Sequence, residues 1–216
     1  MAKIYQIHPH NPQARTVEQI VAALRQGAVM LYPTDTVYAI GCDLNSKTAI
    51  QRVRQIKQLS NDKPLTFLCP SLSNIAQYAE VNDSAYRIMR HLIPGPYTFL
   101  LPATKLVPKL VMSPKRQTTG IRVPDHPVCA ALLEILGNPI ISTSAHVLDG
   151  DASASDRPAV AIEQIELFDR MDKLVDLMVD NGSDPTVQVS TILDFTTETP
   201  TLVRKGLGWE AALPWL

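Results

Sequence analysis

The chain of 216 residues is 45% hydrophobic with a formal net charge of −1, which predicts one well-cored domain and excludes a disordered chain. No apolar run approaches the roughly 18 residues that a membrane span needs, and the N-terminus lacks the apolar core of a signal peptide. We therefore expect a cytoplasmic protein without a membrane partner. Cys42, Cys69 and Cys129 form no CxxC pair and no zinc-ligand spacing, so we expect reduced thiols and no structural metal.

Charge is distributed unevenly along the chain. Residues 84–124 include no acidic residue but seven basic ones, namely Arg87, Arg90, Lys105, Lys109, Lys115, Arg116 and Arg122. In residues 149–198, twelve acidic residues outnumber three basic ones. A basic segment suits a phosphate, a nucleotide or RNA, although a solvated basic face without any ligand explains the pattern equally well.

Hydrophobic periodicity and turn residues predict strands and helices that alternate at short spacing. The predicted strands are 3–8, 28–32, 65–68, 97–101, 120–123, 139–142, 177–179, 190–193 and 201–204. The predicted helices are 17–26, 46–58, two pieces within 73–93, then 127–136 and 158–173. Thr16 to Gln19 resembles a capping box, Ser46 is a candidate N-cap, and Gly137 follows the fourth helical region. This alternation predicts an α/β domain with a mixed sheet.

Several common catalytic motifs are absent from the sequence. No GxGxxG follows a predicted strand and no GxxxxGK[ST] occurs, which disfavours dinucleotide binding of the Rossmann type and P-loop chemistry. No GxSxG is present, so a serine nucleophile at Ser142 or Ser144 is disfavoured as well.

Polar side chains instead recur at the ends of predicted strands and of the second helix. These candidate site residues are Thr34, Lys57, Lys63, Arg122, Ser142, Ser144, Ser190 and Arg204. Lysine and arginine neutralise phosphates or carboxylates, hydroxyls fix orientation, and the set suits adenylate chemistry. Several of these positions also have a structural interpretation: Arg122 as a buried ion pair, Thr34 together with Thr36 as a turn, and Lys57 as a solvated residue at a helix end.

The order of these motifs resembles the YrdC/YciO family over residues 13–208. The matching stretches are LYPTDTVYAIGCD (31–43), IKQLSNDKPLTFL (56–68), PGPYTFLLPA (94–103), GIRVPDHP (120–127), PIISTSAH (139–146), STILD (190–194) and LVRKG (202–206). The resemblance implies a single YrdC-like domain, an open twisted mixed parallel/antiparallel sheet with helices packed around it and a concave basic cavity. The apolar tail 209–216 would then cover this domain's own core or meet a partner.

The resemblance also implies a function. Catalytic members of the family are threonylcarbamoyl-AMP synthases, which condense L-threonine, bicarbonate and ATP into threonylcarbamoyl-AMP and pyrophosphate for tRNA modification. Thr34, Lys63 and Arg122 would face threonine or the carbamate. The residues that would face ATP, with Mg²⁺ on its phosphates, are Lys57, Ser142, Ser144, Ser190 and Arg204. The family is also associated with binding of double-stranded RNA, so a non-catalytic protein that binds a nucleotide or RNA is the alternative.

Two positions depart from the pattern of the catalytic members. Those members carry Lys-x-Arg and later Ser-x-Asn, whereas this chain has Leu59 and His146 in place of the arginine and the asparagine. Leucine removes a forked phosphate donor, and losing such a charge-assisted contact costs on the order of 1.5–3 kcal/mol in binding. Histidine offers a different hydrogen-bonding geometry from asparagine. Both departures resemble the YciO branch and predict weak or altered synthase activity.

Overall fold

A computed structural model describes residues 1–59, 64–113, 115–145, 163–183, 185–197 and 199–216. The described strands are β1 (Lys3–Gln6), β2 (Val29–Tyr32), β3 (Ala39–Asp43), β4 (Thr66–Leu68), β5 (Tyr97–Pro102), β6 (Thr118–Arg122), β7 (Ile140–Ser144), β8 (Leu177–Asp180), β9 (Thr191–Asp194) and β10 (Thr201–Arg204). The described helices are α1 (Ala14–Arg25), α2 (Lys47–Ile56), α3 (Asp83–Leu92), α4 (Pro127–Leu136), α5 (Gln164–Met171) and α6 (Trp209–Ala212). Short 3-10 helices cover Leu72–Gln77 and Leu213–Trp215.

The ten described strands form one sheet in the order β1-β8-β2-β3-β7-β4-β6-β5-β9-β10. Neighbours β1–β8, β8–β2, β4–β6 and β5–β9 are parallel, and the remaining neighbours are antiparallel. Parallel neighbours need crossover connections rather than hairpins, so helices and other strands separate them along the chain. The predicted α/β domain with a mixed sheet is therefore confirmed.

The two faces of the sheet carry separate hydrophobic clusters. One face packs against α1 and α4 in a cluster that includes Tyr32, Leu68 and Ile140. The opposite face packs against α2, α3 and α5 in a larger cluster that includes Phe67 and Phe99. Among the described residues, β5, β6 and β9 contribute nothing to the cluster under α1 and α4. The helices on that side therefore cover one end of the sheet and leave the other end open.

Local capping signals locate some helix ends and fail at another. The Ser46 hydroxyl accepts a hydrogen bond from the Ala49 amide at the start of α2, and Gly137 ends α4 with a left-handed φ of 78°. The predicted capping box at Thr16 is wrong, because α1 already begins at Ala14. Gln13 is the N-cap without a side-chain cap, and its Oε1 accepts the His8 amide instead.

Strand β3 is absent from the sequence-based prediction, although all five of its residues are buried. Its central Gly41 faces the ring of Tyr32 on β2 and the side chain of Ile140 on β7. A β-carbon at Gly41 would lie 2.8 Å from Tyr32 Cε1 and 2.9 Å from Ile140 Cγ2. Glycine weakens the local strand signal, but here the close approach of two neighbouring side chains requires it.

The C-terminal tail packs against the domain itself. Ala212 is fully buried, and Trp215 lies against the larger cluster with its ring 4.8 Å from the His91 ring. Leu213 and Leu216 remain 49% and 42% exposed. The interpretation of the tail as a cover for its own core therefore applies to Ala212 and Trp215, whereas Leu213 and Leu216 are exposed.

The three cysteines are buried and unpaired, in agreement with the expected reduced thiols. Burial raises the pKa of Cys42 and of Cys69 to about 12, so neither thiol ionises at neutral pH. Over the described part of the chain, no helix combines the length and the apolar character that a membrane span requires.

Candidate functional site

A cavity of about 150 Å³ lies on the sheet face that α1 and α4 leave uncovered. Its described lining is rich in hydroxyl side chains, which are Thr34, Thr36, Thr66, Thr98, Ser142, Thr143, Ser144 and Ser190. The charged side chains of that lining are Arg122 and Arg204. The cavity therefore presents neutral and cationic hydrogen-bond donors, as the expectation of a basic concave surface requires.

Strand pairing explains how distant segments meet in this cavity. Thr66 of β4 lies opposite Ser142 of β7 and opposite Gly120 of β6, so these three residues share one face of the sheet. Their neighbours Phe67 and Ile121 point to the opposite face and join the larger hydrophobic cluster. Because side chains alternate along a strand, each of these central strands gives one side to the core and the other to the cavity.

Six of the eight predicted site residues line this one cavity. They are Thr34, Arg122, Ser142, Ser144, Ser190 and Arg204. Their assignment to threonine or to ATP stays a prediction. Sequence reasoning missed Thr66 and Thr98, although the alternation of Thr66 with Phe67 and of Thr98 with Phe99 is a recognisable signal.

Lys57 and the remaining predicted positions lie elsewhere or are not described. Lys57 is the C-cap residue of α2 and does not belong to the cavity lining, so its contact with ATP also stays a prediction. Leu59 packs its partly buried side chain against the larger hydrophobic cluster. Lys63 and His146 fall outside the described residues.

Arg122 is the buried charge of the site. It is 7% exposed, and one of its terminal nitrogens donates to Asp35 Oδ1 at 2.7 Å. The Arg122 Nε and Asp35 Oδ2 atoms are buried and have no hydrogen-bond partner among the described residues. The predicted alternatives for Arg122 therefore coincide, because it forms a structural ion pair and its side chain also lines the cavity.

Thr34 likewise combines a turn with a position in the cavity. Its hydroxyl donates to the Val37 carbonyl at 2.8 Å and accepts the Thr36 amide at 3.1 Å. These bonds hold the chain between β2 and β3 in a tight turn of the kind that threonine side chains form. The Thr186 hydroxyl donates to the Thr36 carbonyl and connects this turn to the segment before β9.

Ser190 and Arg204 are held together on the far side of the cavity. Arg204 donates through Nε and a terminal nitrogen to the Ser190 carbonyl, at 3.1 and 2.8 Å, and through that terminal nitrogen to the Ser190 hydroxyl. The Ser190 hydroxyl also bonds to Thr98 Oγ1 at 2.9 Å. Gly206 permits this approach, because a β-carbon there would lie 2.4 Å from Ser190 C.

The described lining offers no carboxylate to a metal ion. In the part of the chain that the structure describes, no cluster of three or more His, Cys, Asp and Glu side chains is placed to hold a metal. Asp35, the nearest acidic residue to Arg122, is engaged in the ion pair behind the cavity wall. The arginine and hydroxyl donors that the lining does provide are groups that can bind an anion.

Sequence comparison relates the chain to one family. A family model named for Sua5, YciO and YrdC, with the description "Telomere recombination", matches residues 22–206. The chain is 40% identical to the YciO protein of Escherichia coli strain K12 over 211 residues, which cover 96% of this chain and 97% of that protein. It is also 33% identical to the threonylcarbamoyl-AMP synthase of Vibrio vulnificus strain YJ016, over 88% of this chain and 98% of that enzyme.

Solved structures show the same architecture. The crystal structure of E. coli YciO superimposes with a TM-score of 0.89 at 39% identity and covers all of both chains. The structure of P. abyssi Sua5 complexed with L-threonine gives a TM-score of 0.83 at 23% identity, with 99% of this chain and 61% of that chain covered. At that identity, the second likeness is one of fold.

Proposed function

The chain belongs to the Sua5/YciO/YrdC family, and on that premise we propose that its cavity binds ATP and L-threonine for a reaction of threonylcarbamoyl-AMP synthase type. In this reaction L-threonine, bicarbonate and ATP yield threonylcarbamoyl-AMP and pyrophosphate, and the product serves tRNA modification. The similarity of the chain to the threonylcarbamoyl-AMP synthase of Vibrio vulnificus supports the proposal. The observation in this chain that carries it is the buried, incompletely bonded Arg122.

Arg122 calls for an acceptor that the described residues do not supply. Leaving a buried donor without a partner costs about 1–3 kcal/mol, so native proteins rarely keep one without a reason. Arg122 Nε has no such partner, and its side chain lines the cavity. A carboxylate or phosphate oxygen of a ligand in the cavity would pair with the positive charge of the Arg122 side chain, and both occur in the proposed substrates.

The remaining lining supports positioning and charge neutralisation rather than nucleophilic catalysis. Under the proposal, Thr34, Lys63 and Arg122 contact threonine or the carbamate. Ser142, Ser144, Ser190 and Arg204 contact ATP, together with Lys57. A volume of 150 Å³ is below the roughly 300–1,000 Å³ of pockets that enclose a drug-sized ligand, so part of ATP would extend beyond the cavity.

Mg²⁺ would come to the described part of this site with the substrate. The ion prefers oxygen ligands and usually keeps one or two carboxylates, whereas the described lining has none. ATP phosphates would therefore hold it, and the proposed roles of Arg122 and Arg204 do not depend on it.

Leu59 and His146 set the expected level of activity. Leu59 packs on the hydrophobic cluster and cannot donate to a phosphate, so one forked contact of the catalytic members is lost. We propose that synthase activity is consequently weak or directed to an altered substrate.

The test is to incubate the purified protein with ATP, L-threonine and bicarbonate, and to detect threonylcarbamoyl-AMP by mass spectrometry together with pyrophosphate. The Leu59→Arg/His146→Asn double variant is assayed in parallel. Arg122→Leu is expected to abolish product, whereas Arg170→Leu, which removes an exposed arginine on α5, is expected to leave it unchanged.

The outcomes separate three cases. Product from the wild type means that the enzyme tolerates both departures. Product from the double variant alone means that the scaffold is competent and that these two positions silence it. Absence of product from both proteins contradicts the proposed synthase reaction.

A second candidate function is binding of a nucleotide or of double-stranded RNA without catalysis. The observation in its favour is the acid-free segment 84–124, in which six of the seven basic side chains are exposed. These are Arg87, Arg90, Lys105, Lys109, Lys115 and Arg116. Such a surface would bind the phosphate backbone and would show steep salt dependence.

A further inference from the structure

Tyr32 lies beside the cavity, on the same face of the sheet. It is fully buried on β2, and its hydroxyl lies 2.6 Å from Ser142 Oγ on β7. Ser142 is 3% exposed and lines the cavity, whereas Tyr32 does not belong to the lining. Ser142 therefore connects Tyr32 to the cavity.

Strand β3 separates these two residues, and its glycine makes the contact possible. Gly41 lies opposite Ser142 in the pairing of β3 with β7. A β-carbon at Gly41 would lie 2.8 Å from Tyr32 Cε1, so the tyrosine ring passes over this residue. Gly41 therefore leaves the space on β3 that the Tyr32 ring occupies.

The direction of this hydrogen bond follows from the surroundings of the phenol. Burial raises the pKa of Tyr32 far above its ordinary value, so the phenol keeps its proton. Among the described residues, Ser142 Oγ is the hydrogen-bond partner of that phenol. A buried donor without an acceptor costs about 1–3 kcal/mol, so Tyr32 donates and Ser142 accepts.

The Ser142 proton is then free to point into the cavity. A serine hydroxyl carries one proton and two lone pairs, and Tyr32 occupies one lone pair. The Arg122 guanidinium, a second donor group, lines the same cavity. Donors of this kind suit an acceptor-only group, namely a phosphate or carboxylate oxygen.

We propose that Tyr32 is a positioning residue that fixes Ser142 as a hydrogen-bond donor to an anionic group of the bound ligand. This inference rests on the proposed binding of ATP and L-threonine, and it adds a residue outside the cavity to the recognition of one of them. Without the phenol, Ser142 would rotate between donor and acceptor roles, and its contact with the anion would weaken.

The test is a double-mutant cycle on the full chain with Tyr32→Phe, Ser142→Ala and the combined variant. Calorimetric titrations with ATP and, separately, with L-threonine distinguish the phosphate from the carboxylate as the group contacted. Tyr32→Phe keeps the ring, and it is expected to lower the affinity for one of the two ligands about 3- to 10-fold. The combined variant is expected to bind no more weakly than Ser142→Ala alone.

Tyr38→Phe is the matched control. Its hydroxyl is also buried and donates to Asn181 Oδ1 at 3.0 Å, but it belongs to the cluster on the opposite face of the sheet. Removing this phenol oxygen is expected to lower stability without changing the affinity for either ligand.

A second readout needs no ligand. The Tyr32 hydroxyl proton is expected to give a slowly exchanging NMR resonance that is absent in Tyr32→Phe and shifted in Ser142→Ala. Unchanged affinities in Tyr32→Phe, additive losses in the combined variant, or a resonance that does not respond to Ser142→Ala would overturn the inference alone. A wild type that binds neither ATP nor L-threonine would overturn the proposed function and the role of Tyr32 with it.

Discussion

Arg122 and Asp35 form an ion pair of 2.7 Å in which the two side chains are 9% and 10% exposed. Arg122 comes from the end of β6, and Asp35 comes from the turn between β2 and β3. The pair connects two segments separated by 87 residues at the wall of the cavity. It gives the buried guanidinium a counter-charge at the wall of the cavity.

Asp35→Asn is expected to destabilise the protein because it leaves the Arg122 charge buried without a counter-charge. Breaking a buried pair in this way costs about 3–5 kcal/mol in the free energy of unfolding, which urea denaturation measures. Glu166→Gln is the control, because it breaks the exposed Glu166–Arg170 pair of 2.6 Å and should cost about 1 kcal/mol or less. Equal losses in the two variants would show that the buried pair does not stabilise the fold.

Gly206→Ala is expected to disturb both the fold and the cavity. The added methyl group would lie 2.4 Å from Ser190 C and from the Val189 carbonyl oxygen, so the backbone that carries Arg204 must move. We expect a loss of about 3 kcal/mol in the free energy of unfolding and weaker ATP binding, measured by urea denaturation and calorimetry.

Gly137→Ala separates this steric effect from backbone strain. Gly137 has a left-handed φ of 78°, and nothing within 4 Å would contact its methyl group. The variant is expected to lose about 1 kcal/mol through strain alone and to keep its affinity for ATP. A Gly137→Ala variant that binds ATP as poorly as Gly206→Ala would mean that the position of Arg204 does not govern binding.

Stability is expected to fall in mild acid because of His126. Burial lowers the pKa of this imidazole, and the neighbouring His10 and Arg122 act in the same direction against Asp35 and Asp125. The folded state therefore keeps His126 neutral at a pH where the unfolded chain, with a pKa of about 6.5, already binds the proton. The free energy of unfolding should consequently decrease as the pH falls below about 6.5.

His126→Gln isolates this contribution. Urea denaturation gives the free energy of unfolding at pH 7.5 and at pH 5.5. The difference between these two free energies is expected to be smaller in the variant than in the wild type. Equal differences in the two proteins would mean that His126 does not couple folding to the proton.

The RNA-binding alternative predicts a specific effect of charge on α3. Arg87→Glu/Arg90→Glu reverses two exposed basic residues of the acid-free segment and should weaken binding of double-stranded RNA. The slope of log K against log salt should also become shallower by about 1–2. The control Arg170→Glu/Lys173→Glu makes the same change in net charge within the acidic third of the chain, and it should weaken RNA binding less. Equal effects of both variants would favour a general dependence on net charge.

The sequence alone determined the alternation of strands and helices, and with it the α/β class. Apolar runs and alternating segments predicted nine strands, each of which overlaps a strand of the structure, because burial of one or both faces dictates side-chain type along a strand. Polar side chains such as Ser142 and Arg204 were recognisable because they interrupt or end such runs. Family motifs then predicted which of these residues belong to one site.

The tertiary structure alone decided how those residues meet and which others join them. Thr66 and Ser142 are far apart in sequence and become neighbours only through the pairing of β4 with β7. Gly41 and Tyr32 likewise have no local pattern that indicates their contact, because cross-strand packing is not encoded in the periodicity of either strand. Strand order and register are set by the packing of the whole sheet, and they produced both the cavity and the path from Tyr32 to Ser142.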